Sequence, residues 1–196
     1  MSIQSAETYS HWNFFLALDE DLERIARYIE FSDDNLGCYS LELARTLMMA
    51  SAEADVVAKQ ICHQIAPKLK QKDITTYRKT ILQRHPEFTE GTVHVFNGRL
   101  ELHPWEHWSV NESPIWWQAN NKVKHERHVH FSQANLKNAL NAVAALMLLT
   151  LYLYKFQAAE GQLAPSPRIF SAGHPIGVDR MAHNQTQLVY IVPNAA

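Results

Sequence analysis

The residues able to do chemistry in this 196-residue chain crowd into one stretch. It reads Trp116-Trp117-Gln118-Ala119-Asn120-Asn121-Lys122-Val123-Lys124-His125-Glu126-Arg127-His128. Taken as a helix that starts at Pro114, it places Trp117, Asn121, His125 and His128 at i, i+4, i+8 and i+11, hence on one face. Lys124 and Arg127 flank that face, and Trp116, Asn120 and Val123 fall on another. An ordinary imidazole titrates close to neutrality, so it can take or give a proton at the 2′-oxygen or the leaving oxygen of an RNA phosphodiester. A neighbouring cation can hold the phosphate and stabilise the charge that develops on it. An amide such as Asn121 can orient the ring. Cleavage of RNA without a metal needs these residue types. The same pattern also suits a purely structural role, with surface or capping histidines and tryptophans packed in a core, and a ligand or metal site is the third reading.

The surrounding residues narrow these choices. Five of the 11 histidines and four of the 5 tryptophans lie between His103 and His130. His103 and His107 have a helical metal spacing, but Pro104 sits between them. His125-Glu126 is not followed by a histidine at the metalloprotease position, and no second Cys, Asp or Glu cluster accompanies it. Neither a metal nor a cofactor is therefore expected. Trp105 and Trp108 read either as a stacking platform for bases or as lids over the core. Glu53, Asp55 and Lys59 read as an exposed ion-pair face or as support for His125. Cys62 reads as a small buried residue beside a surface His63. The chain has no phosphate-binding glycine loop, nucleophile elbow or dinucleotide fingerprint, which argues against nucleotide hydrolases and α/β-fold enzymes.

Composition sets the outer bounds. Hydrophobic residues make up 46% of the chain, which excludes intrinsic disorder. With 18 Lys+Arg against 20 Asp+Glu, nucleic acid would have to be met by a local basic site. Two cysteines, Cys38 and Cys62, make no disulfide framework and fit a reducing compartment. Met1 to Ser10 lacks the basic start and apolar core of a signal peptide, so a cytoplasmic location is expected. Asn138 to Tyr154 is uncharged and at the lower edge of membrane-spanning length, roughly 30 Å of hydrocarbon. Its asparagines and many alanines fit a buried bundle helix instead, and no membrane partner is expected.

Three segments carry the helical period that must position the site. Phe15, Leu18, Leu22, Ile25 and Ile29 form one apolar face, ended by Ser32-Asp33-Asp34-Asn35. Leu43, Leu47, Ala50, Ala54, Val57, Ile61 and Ile65 form a second, with Ser40 as N-cap and Pro67 beyond its end. The third runs from about Ser132 to Glu160 and is stopped by Gly161. Asp73 to Arg84 reads as a short helix capped by Asp73, and Ser113-Pro114 as the cap and first turn of the helix bearing Trp116. Thr92 to Leu102 reads as a hairpin turning at Asn97-Gly98. These elements predict an all-α bundle of four to five main helices over residues 1–160, with a β-hairpin insertion at about 92–102. Residues 161–196 form an irregular tail with short strands, in which Arg168 to Ser171 could pair with Leu188 to Val192.

From Trp116 to Arg127 the chain resembles a signature of a group of bacterial helical proteins: Trp-Trp, three residues, Asn, two residues, Lys-His, one residue, Arg. That group is in turn similar to the HEPN superfamily (higher eukaryotes and prokaryotes nucleotide-binding), all-helical domains that include many metal-independent endoribonucleases of toxin, antiphage and RNA-processing systems. The family motif is Arg, a polar residue often Asn, about three residues, then His. Asn121 matches the polar position and His125 the histidine, while Asn120 stands where the family has its arginine. Lys124 or Arg127, each within a helical turn of His125, could replace that phosphate contact. The likeness extends loosely over Trp12 to Glu160. Arg78 to His85 also fits an arginine–histidine spacing, but Pro86 ends the helix there and the match reads as coincidence. The resemblance implies a HEPN-like fold, RNA as partner and a homodimer with facing motifs. It further implies a cognate antitoxin or defence partner. In that scheme His125 is the catalytic acid–base and Asn121 its orienter. Lys124, Arg127, Asn120 and His128 bind the phosphate or substrate. The alternative is a catalytically inactive helical dimerisation or interaction module.

Overall fold

Burial of one apolar helix organises the molecule. The structure is a computed structural model that describes residues 8–70, 73–96, 99–179 and 188–193. Helix α1 spans Ser10–Ile25, α2 Leu41–Ile65, α3 Ile74–Arg84, α4 Ile115–His130, α5 Leu136–Leu153 and α6 Lys155–Ala159. Leu140, Val143, Leu146, Met147, Leu149 and Leu151 of α5 are all fully buried. Helix α2 packs along α5 over the longest interface, with α1 and α4 against both, while α3 packs on α2. By length and composition α5 could cross a membrane, yet 89% of that window is buried inside the protein. A helix enclosed by neighbours has no need of a polar face, which accounts for its composition. Thr150 within it donates to the Leu146 and Met147 carbonyls (3.0 and 2.8 Å) and so leaves no orphan hydroxyl.

The helix ends follow local chemistry. Ser40 Oγ accepts from the Leu43 N–H (3.1 Å) and Asp73 Oδ1 from the Thr76 N–H (2.8 Å), as their positions predicted. α5 starts later than its periodicity suggested, because a 3-10 turn over Phe131–Gln133 intervenes and Asn135 is the cap, accepting from Asn138 N–H at 3.0 Å. Its far end breaks at Tyr154 before α6, and Gly161 then takes a left-handed φ of 69°, the conformation that favours glycine at a helix stop.

Among the described residues, two small antiparallel sheets flank this mostly helical body. β1 (Val93–Val95) and β2 (Leu100–Leu102) pair as the expected hairpin, Val93 opposite Leu102. The turn residues Asn97 and Gly98 lie outside the described residues. The tail pairs differently from its local pattern. β3 (Phe170–Ala172) adds to the other edge of β1, with Val95 opposite Phe170. β4 (Gly177–Asp179), not Arg168 to Ser171, is the partner of β5 (Val189–Ile191). An apolar run does not say which distant edge it will meet.

A buried carboxylate and a close backbone approach are among the contacts that hold the tail to the body. The buried Asp19 of α1 accepts from the backbone N–H of Arg168 (2.6 Å) and of Ile169 (3.1 Å). Gly173 follows β3 where Thr92 passes so close that a Cβ would lie 2.2 Å from Thr92 Oγ1 and 2.8 Å from His94 Nε2. Gly173→Ala is therefore expected to cost about 1–3 kcal/mol by overpacking, read as a lower midpoint in urea unfolding.

The aromatic excess is largely core. Trp105 and Trp108 are buried with ring centroids 4.2 Å apart, and Trp105 Nε1 donates to the Ala145 carbonyl (3.3 Å). Lids over the core, not a platform for bases, is what they form. His85 ends α3 buried against the Tyr152 ring (4.9 Å), with Nδ1 3.4 Å from Glu87 Oε1. Burial holds this imidazole below its ordinary value, opposed by the Glu87 carboxylate. The unfolded chain then binds this proton more readily than the folded one. Stability from His85 is complete above the ordinary histidine range and is lost as pH falls below about 6.5. Melting temperatures measured from pH 8 to pH 5 are expected to drop more steeply in the wild type than in His85→Phe.

Candidate functional site

Helix α4 divides its residues between core and surface. Pro114 occupies the cap position, one residue later than the Ser113 cap expected, and Gln118 Nε2 donates back to the Ser113 carbonyl (2.8 Å). Trp116, Ala119, Asn120 and Val123 form the buried stripe, at i, i+3, i+4 and i+7. Trp116 Nε1 donates to the Pro104 carbonyl (2.9 Å) and meets Trp105 edge to face, so this face of α4 is tightly held. Asn121, Lys122, Lys124 and His125 are left on the exposed side.

The shared face predicted for Trp117, Asn121, His125 and His128 holds only as far as His125. Glu126 has φ −137° and ψ 49°, which breaks the helical register and sends Arg127 and His128 off in a new direction. Lys124, His125, Arg127 and His128 line one open hollow of about 630 Å³, faced by Leu41 and Met48 of α2. Val123 and Phe131 complete its lining. Among the described residues none of these four basic side chains is in an ion pair or side-chain hydrogen bond. The neighbouring Glu126 instead sits 3.4 Å from His130.

Asn120 and Asn121 belong to a second hollow, of about 430 Å³, that adjoins the first through Met48 and Lys124. Trp117 and Asp55 also line it. Asn121 makes no side-chain hydrogen bond to His125, so the amide does not orient the ring in this structure. The acidic residues of α2 are engaged away from the histidine. Asp55 pairs with Lys59 and accepts from the Tyr77 hydroxyl (2.8 Å), while Glu53 lies 2.5 Å from His11 Nδ1. Burial pushes the Cys62 thiol up to about 11, and His63 beside it is exposed, so the thiol is inert packing.

The α2 contribution went unread in the sequence. Met48 and Met49 lie off the stripe of Leu43, Leu47 and Ala50 and stand exposed, which is the signal that could have exposed a second wall. Among the described residues no three His, Cys, Asp or Glu side chains gather as a metal-ligand set; His103 instead contacts Glu101 (3.1 Å). Chemically, the arrangement offers two imidazoles, an ammonium and a guanidinium group at one solvent-open hollow, beside a more enclosed hollow with amides and an indole. No family model, curated protein or solved structure matches the chain.

Proposed function

We propose that the adjoining hollows between α2 and α4 form an RNA-directed site, with the end of α4 as its reaction centre. One observation carries the reading: Lys124, His125, Arg127 and His128 line a single open hollow, unclaimed by any described acid. RNA can be cut there without a metal. One imidazole takes the 2′-hydroxyl proton as the 2′-oxygen attacks phosphorus. The bond from phosphorus to the 5′-oxygen breaks, and the second imidazole gives that oxygen its proton. The products are a 2′,3′-cyclic phosphate and a 5′-hydroxyl. His125 is the principal acid–base and His128 its counterpart, while Lys124 and Arg127 hold the phosphate and offset its growing negative charge.

The helical body and the Asn121–His125 spacing support kinship with HEPN-like domains. On that kinship we propose the chain as a cytoplasmic, homodimeric component of a bacterial toxin or antiphage system with its own antitoxin or defence partner. A second reading, a catalytically silent dimerisation module, is favoured by a different observation. Leu41 is 65% exposed and Val129 62% exposed, and Leu41 lines the same hollow.

The test uses purified protein and mixed single-stranded RNA in the presence of a chelator, beside His125→Ala. Cleavage by the wild type that leaves cyclic phosphate ends, and its loss in the variant, is the expected result. Equal background in both ends the nuclease reading. Loss of a dimer in Leu41→Glu without any cleavage by the wild type would favour the module.

A further inference from the structure

The second hollow holds polar groups that the protein itself leaves unsatisfied. Ser51, 1% exposed, has a buried Oγ with no hydrogen-bond partner, and Asn120, 9% exposed, has a side-chain amide without one among the described residues. Both line the hollow. Buried hydroxyls and amides are normally paired, because desolvation without a replacement bond is costly. Ser51 is one such group at the wall of the hollow, and the solvent-touching Asn120 amide beside it is likewise open to a ligand that supplies a partner. Trp117 lines it too, half-buried and set by Trp116 at 5.6 Å and 81°. Asp55 is already engaged by Tyr77 and Lys59, so the Asn120 and Asn121 amides and the Ser51 hydroxyl are the neutral polar groups left to read a ligand.

We propose that this hollow is a base subsite, in which one unstacked purine of an RNA strand, adenine in preference, stacks on Trp117 and presents its edge to Asn120 and Ser51. The inference rests on the RNA reading of the adjoining hollow and names what that site recognises. Lys124 lines both hollows, so a base in one places its phosphate beside the cations of the other. An amide offers one donor and one acceptor side by side, which matches the adenine N7 and N6 edge. The corresponding guanine edge presents two acceptors and sets the amide carbonyl against one of them. Pyrimidines offer less ring surface to the indole, and stacking is the sequence-tolerant part of the affinity.

Fluorescence anisotropy with labelled octamers of adenylate and uridylate at low salt tests the subsite. The wild type is expected to bind oligoadenylate about tenfold more tightly than oligouridylate, a ratio within the range of a single stacked and hydrogen-bonded base. Asn120→Ala and Trp117→Leu bring the ratio close to one and leave a weaker, salt-sensitive binding. Ser51→Ala lowers oligoadenylate affinity without lowering the melting temperature, since its hydroxyl has no partner within the protein to lose. That variant and Asn120→Ala keep the test open should Trp117→Leu fail to fold, and circular dichroism reports the fold of each. Equal affinity for the two octamers, abolished by Lys124→Ala, would overturn the base subsite and leave the RNA reading standing. Binding of neither octamer would overturn both.

Discussion

Replacing Asp19 with alanine is expected to release β3 from the helical body at a cost of about 2–4 kcal/mol. The carboxylate accepts the backbone N–H groups of Arg168 and Ile169 at a buried position. Alanine would orphan both, and each unsatisfied buried N–H costs about 1–3 kcal/mol. Part of that loss is offset. Burial pushes the Asp19 carboxyl above its ordinary value, more strongly than the N–H groups of Arg168, Ile169 and Phe170 pull it down. The charged form therefore carries an uncompensated desolvation cost that the variant sheds. The sign follows: the folded chain binds this proton more tightly, so the Asp19 contribution declines as pH rises above the ordinary carboxylate range. Asp19→Asn keeps the shape but turns an amide N–H₂ toward one of the two donors, and should cost about half as much. Urea unfolding at neutral pH measures both. The tail should show faster hydrogen exchange at Phe170 to Ala172 than in the wild type, and unchanged exchange would refute the anchoring role.

The second large effect concerns chemistry. Alanine at position 125 is expected to slow RNA cleavage by about 10²–10⁴-fold, the usual contribution of a positioned acid–base group. His128→Ala should fall in the same range, and the double variant should lose far less than the product of the two, because both serve one proton-transfer scheme. Lys124→Ala and Arg127→Ala act through the phosphate. Each should weaken binding to all sequences and flatten the plot of log affinity against log salt by roughly 0.7 per cation removed from a single strand. A histidine variant that changes affinity but not single-turnover rate would point to a binding group in place of a catalytic one.

How far the sequence revealed these features depended on the range of the interaction behind each. Caps act over three residues, so Ser40 and Asp73 could be read directly. The core helix α5 announced itself by lacking a polar face, but its start moved to Asn135 because the preceding 3-10 turn competes for the same residues. The partner of β3 could not be read, since Phe170 meets Val95 across a long stretch of chain and nothing local marks that edge. In the site, the basic residues of α4 were visible as a cluster. The break at Glu126 was not, although it falls among the basic residues that line the hollow. Nor were Met48 and Ser51, which reach the site only through the packing of α2 on α4.

The clasp between Asp19 and the amides of Arg168 and Ile169 also imposes an order on synthesis. A ribosome delivers roughly 5–20 residues each second, and α1 emerges long before its partners in the tail. Until Ala172 is out, the free edge of β1 lies open, and α5 has already emerged as an apolar segment that only a completed bundle can shelter. The bundle therefore closes only once Arg168 to Ala172 have emerged, and its most vulnerable interval is the wait for that short segment.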